Sequence, residues 1–112
     1  MLTLQKLQEY GANVEEGLHR CADMEEFYLQ LVEKSLEAEK YEQLKKAIED
    51  KDLDKAFDLV HNLKGVLGNL SLTPMYETAV EMTELLRVRT LMDYKPLLNK
   101  LLSQKEELEK LR

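Results

Sequence analysis

Glycine and proline are scarce, at four and two in 112 residues. Turn-rich strand folds rely on both, so their shortage favours long helices. A single cysteine, Cys21, excludes an internal disulfide, and a cytoplasmic protein is the simplest expectation. No stretch approaches the roughly 18 uncharged apolar residues of a membrane span. The opening MLTLQKLQEY also lacks the apolar core of a signal peptide. Basic blocks are missing and the net charge is −6, which argues against a nucleic-acid partner. With one cysteine and two distant histidines, the ligand spacing of a metal site is absent. No Gly-rich phosphate loop occurs. The chain is too short to hold an ATP-binding kinase domain beside a helical core, so it is not expected to phosphorylate itself from ATP.

What remains is a mixture of 44% hydrophobic and 34% charged residues, rich in Leu, Glu and Lys. That suits one compact domain built from amphipathic helices. Residues 2–10 carry a short apolar pattern that Gly11 ends, and Asn13 can cap a brief helix to about residue 21. Asp23, with Glu26 three residues on, reads as the cap of a long helix over 24–50, bent near 39–41. Its apolar stripe is Phe27, Leu31, Ala38, Tyr41, Leu44 and Ile48. Asp52 caps the next helix, which runs to about residue 70. Thr73 caps another, with Pro74 in its first position, ending near residue 89. Asp93 caps the last, with Pro96 in its first turn, ending near residue 111. Four long helices with short turns predict an all-α antiparallel four-helix bundle over 23–111, preceded by short helices within 1–22.

The informative helix reads LDKAFDLVHNLKGVLGNL over 53–70. At roughly 100° per residue, Leu53, Ala56, Val60, Leu63, Leu67 and Leu70 form its core face. His61 lies roughly 150° from the centre of that face, so its imidazole should be exposed. Lys64, Gly65 and Gly68 follow at i+3, i+4 and i+7 on the same stripe. Two helical glycines are unfavourable by about 1 kcal/mol each relative to alanine. Pointing away from the core, they are expected to clear space for a large partner. A leucine at Gly68 should then leave folding intact while blocking that partner. An exposed imidazole, with an ordinary pKa of about 6.5, is a good nucleophile near neutral pH. Lys64 can reach back to a negative group on the ring. This set suits phosphoryl transfer, which needs positioning and charge neutralisation more than covalent help.

His61-Asn62-Leu63-Lys64-Gly65, followed by Gly68-Asn69-Leu70, resembles the H-x-L-K-G-x-x-G-N-L core of histidine-phosphotransfer domains. The likeness extends over roughly residues 24–102, including Phe27-Tyr28 and the helix beginning at Pro74. Val60 departs from it, where a small alanine often precedes the histidine. Ser71 departs too, where a glycine often follows Asn-Leu. The resemblance implies that His61 accepts and donates the phosphoryl group and that Lys64 supports its charge. It implies that Gly65 and Gly68 form the docking surface for receiver domains of hybrid sensor kinases and response regulators. These receivers would bring the aspartate and the Mg²⁺ site; no cofactor of its own is expected. The implied role is a carrier in a multistep two-component phosphorelay. A receiver-binding adaptor that carries no phosphate is the alternative, though an adaptor need not keep the histidine. A bundle that oligomerises through its last helix is a third reading, but residues 94–111 show only a partial exposed apolar stripe. A monomer is expected, and the start at Met1 favours a free-standing protein.

Asp54 and Asp58 fall within about 60° of His61 on the wheel. Acids near a helix N-terminus suit its dipole, which is the simpler explanation. Alternatively, Asp58 raises the imidazole pKa and orients the ring. His19, Cys21 and the tyrosines at 28, 41, 76 and 94 read as ordinary packing or surface residues.

Overall fold

The computed structural model describes all 112 residues. Seven helices follow one another with no strand: α1 (Leu4–Tyr10), α2 (Val14–Arg20), α3 (Glu25–Ser35), α4 (Ala38–Glu49), α5 (Leu53–Asn69), α6 (Thr73–Arg87) and α7 (Lys95–Glu109). Helix α4 packs on α5, α5 on α6, α6 on α7, and α7 returns to α4. Three short connections make these four neighbours antiparallel, which closes the expected bundle. Helix α1 touches α2 and α7, and α2 touches α3. The 25 buried apolar residues form one core. Helix α7 spends its apolar face inside the chain, with Leu98, Leu101 and Leu108 buried.

Several starts follow the local signals. Asp52 caps α5, its side chain accepting from the Lys55 amide at 3.1 Å. Asn13 caps α2 through the Glu16 amide at 3.2 Å. Others move by a residue. Thr73 lies inside α6 and Leu72 stands at the cap, with Pro74 in the first turn as expected. Asp93 accepts from the Lys95 amide at 3.0 Å, while Tyr94 is the capping residue. Helices α6 and α7 both end two residues before the expected points.

The expected single helix over 24–50 is a misreading. Helix α3 stops at Ser35 and α4 starts at Ala38, with Glu37 extended between them at φ −55° and ψ 129°. No proline or glycine marks this break. The Tyr41 hydroxyl donates to the Ser35 carbonyl at 2.9 Å, taking up an acceptor that a continuous helix would have used. Leu36 is buried at the corner. The break also resets the helical phase. In α3 the buried side chains are Tyr28 and Val32, whereas Phe27 is 45% exposed; Ala38, the first residue of α4, is also exposed. The stripe read through Phe27 and Leu31 carried the phase of α4 backwards across an interruption.

Asp23 is likewise not the cap of α3. It has φ +59°, and its amide donates to the Leu18 carbonyl at 2.7 Å, so it terminates α2. Met24 takes the cap position without a side-chain hydrogen bond. Glu25 and Glu26 then favour the helix start through the dipole.

Tyr28 ties the short helices to the bundle. Its hydroxyl donates to the Leu70 carbonyl at 2.8 Å. Its ring lies against Gly17, where a β-carbon would stand 2.7 Å from it. Only glycine allows α2 this close. Burial, aided by nearby Cys21, pushes the Tyr28 pKa up to about 12.

Candidate functional site

His61 stands at the midpoint of α5 and is exposed. Beneath it, Ala56, Val60, Leu63, Leu67 and Leu70 are buried and Leu53 is half-buried, as the wheel requires. The core therefore sets the histidine's direction: burying those side chains turns position 61 to solvent. Lys64 is half-buried one turn on. Gly65 is exposed, and a β-carbon there would meet nothing within 4 Å. The bare patch beside the imidazole is thus real at position 65.

Position 68 differs. A β-carbon on Gly68 would lie 2.8 Å from Cε1 and 3.2 Å from Cδ1 of Tyr76. The Tyr76 ring of α6 already covers this glycine, so close packing accounts for it and the expectation of empty space is corrected. A leucine there would drive into the ring, against the expectation that folding would be untouched. A groove of about 510 Å³ continues from Lys64 and Gly65 past Gly68 and Tyr76 to Asn13, Glu16 and Arg20 of α2. Arg20 pairs with Glu16 at 2.8 Å and its guanidinium donates to Asn69 at 3.4 Å. His61 does not line this groove.

On the other side of the histidine lies a cluster in which Phe57 and Asp54 of α5 meet two arginines from beyond this helix. Phe57, one turn before His61, stacks on the imidazole with ring centroids 5.5 Å apart and planes 18° from parallel. Arg87 and Arg89 place their guanidinium carbons 5.3 and 5.0 Å from the Phe57 centroid. Arg89 donates from Nε to Asp54 at 2.7 Å and from Nη1 to the Leu86 carbonyl at 2.6 Å. Arg87 is the last residue of α6 and Arg89 follows it, and the antiparallel packing of α5 on α6 brings both here. Of the two acids near His61, Asp54 is engaged with Arg89, while Asp58 stays exposed. The imidazole rests on Phe57 rather than on a carboxylate.

The sequence held one faint signal for this cluster. Reflecting position 57 through the turn at 70–72 lands near position 85, close to Arg87. Helix phase alone does not say which side chains of α6 lean across.

The family model of the Hpt domain, the histidine-phosphotransfer domain, matches residues 2–112. This chain belongs to the Hpt family. Comparison with curated proteins and with solved structures gave no match. Membership gives the chain a phosphotransfer role in a phosphorelay and receiver domains as its class of partner. The match covers α1 and α2 as well as the bundle, so the short helices are part of this Hpt domain. No helix is long and apolar enough to cross a membrane.

Proposed function

We propose that this Hpt domain is a phosphoryl carrier in a multistep phosphorelay, shuttling the group between receiver aspartates through a phosphohistidine at His61. The observation that carries the reading is the exposed imidazole at the middle of α5 with Lys64 and the open Gly65 beside it. A ring nitrogen with its lone pair attacks the phosphorus of an aspartyl phosphate. The N–P bond forms as the P–O bond to the carboxylate breaks, and the electron pair leaves with that carboxylate. The second ring nitrogen keeps its proton. The reverse step loads a second receiver.

Each neighbour has a part. Lys64 brings one positive charge to the phosphoryl oxygens, where a charged hydrogen bond is stronger than a neutral one. Gly65 leaves room for the receiver surface. Gly68 lets the Tyr76 ring pack closely against α5 beside that surface. Any Mg²⁺ belongs to the receiver, not to this chain. The partners are receivers of hybrid sensor kinases and response regulators, met in the cytoplasm by a monomer.

Incubation with a phosphorylated cognate receiver tests this. Acid-labile, base-stable label should appear on the wild-type chain and not on His61→Gln. Binding of the receiver without transfer of label would make the domain an adaptor instead.

A further inference from the structure

Arg89 ends its helix as Lys51 and Ser71 end α4 and α5, with a left-handed backbone. It follows α6 at φ +53°, a left-handed conformation that favours glycine. Its ion pair with Asp54 does little to offset that strain, because the Asp54 side chain is 84% exposed and such pairs are weak. The conformation does place the guanidinium over Phe57, held by the Leu86 carbonyl and Asp54. Phe57 in turn carries His61 on its ring, four residues along the same helix. An exposed histidine would otherwise sample several rotamers.

We propose that Phe57 is a positioning residue for His61. Its ring, braced by Arg89 and Arg87, gives the imidazole a surface to rest on and limits its rotamers before a receiver arrives. Offset stacking of this kind favours one arrangement by roughly three- to tenfold. The inference rests on the reading of His61 as the phosphoryl carrier and adds a residue to that site.

Single-turnover transfer from a phosphorylated receiver, measured across receiver concentration, tests it. Phe57→Leu keeps an apolar side chain but removes the aromatic face. The rate at saturating receiver should fall roughly three- to tenfold, with the half-saturating concentration unchanged. In NMR spectra the His61 ring protons should lose the shift induced by the neighbouring ring. Phe57→Tyr should retain both properties. Arg89→Gly removes the brace and relieves the backbone, so it should transfer more slowly without melting earlier.

An unchanged saturating rate in Phe57→Leu would overturn the proposal. So would a loss confined to half-saturation, since Phe57 would then be a docking contact. Failure of Phe57→Tyr to rescue would overturn it as well. The NMR arm needs no receiver. If wild-type protein takes no phosphoryl group, the carrier reading fails; if the His61 signals ignore Phe57→Leu, the stack itself fails.

Discussion

Alanine at Gly65 separates what the helix wants from what the site needs. Position 65 lies inside α5, is exposed, and offers an added methyl nothing to strike within 4 Å. No packing term opposes the change, so helix propensity decides it. Alanine should stabilise the domain by about 1 kcal/mol. For a chain of this size that raises the melting temperature by roughly 4 °C. The same methyl projects beside His61 and Lys64, where a receiver must approach. Overpacking of close-fitting surfaces is unfavourable by roughly 1–3 kcal/mol, so transfer should slow by about tenfold or more. Gly68→Ala is the matched control, with the same propensity gain on the same helix. There the methyl would stand 2.8 Å from the Tyr76 ring, which has to tilt away from α5. Its melting temperature should stay level or fall. Thermal melts followed by circular dichroism give both stabilities, and single-turnover transfer gives the rate. The reasoning is refuted if Gly65→Ala melts no higher than wild type, or if it transfers at the wild-type rate.

Two further outcomes follow from the same geometry. Ser71 sits at φ +54° with its buried hydroxyl unpartnered, so Ser71→Gly relieves both the backbone and the orphaned oxygen. After the added entropy of the unfolded glycine chain, the net gain should be about 1 kcal/mol in a urea titration, and a lower midpoint would contradict it. At alkaline pH the tyrosines matter. Burial, first among the causes, raises the folded-state pKa of Tyr10, Tyr28, Tyr41 and Tyr94 above the ordinary 10.0, with nearby Glu107 and Glu109 adding to it at Tyr10 and Tyr41. A raised pKa contributes stability that is fully present below pH 10.0 and is lost as pH climbs toward the folded value, about 12 at Tyr28. Helix content should hold to about pH 10 and then fall together with the rise of tyrosinate absorbance. Tyrosines that all ionise near 10 with the helices intact would count against this.

How much was legible depended on range. Asp52, Pro74 and Pro96 mark helix starts through their own backbone chemistry, and each lies at or within one turn of an observed start. The direction of His61 follows from the phase of α5, because burying one stripe of a helix leaves only one place for the opposite stripe. Lys64 and Gly65 come with it. These inferences need nothing beyond a single helix.

Other features required a second helix. The break at Leu36 depends on the Tyr41 hydroxyl reaching the Ser35 carbonyl, and nothing in the residues between them marks it. Ser71 occupies the place where the family often has glycine, and the positive φ explains that preference. The two glycines of the motif looked alike in the sequence, sharing one face of α5. Tertiary packing made them opposites, because Tyr76 of α6 lies over Gly68 and nothing lies over Gly65. Packing also delivered Arg87 and Arg89 to Phe57. Periodicity determines which way a side chain points from its own helix. Which side chain meets it there depends on how two helices are set against each other, and that information belongs to the fold as a whole.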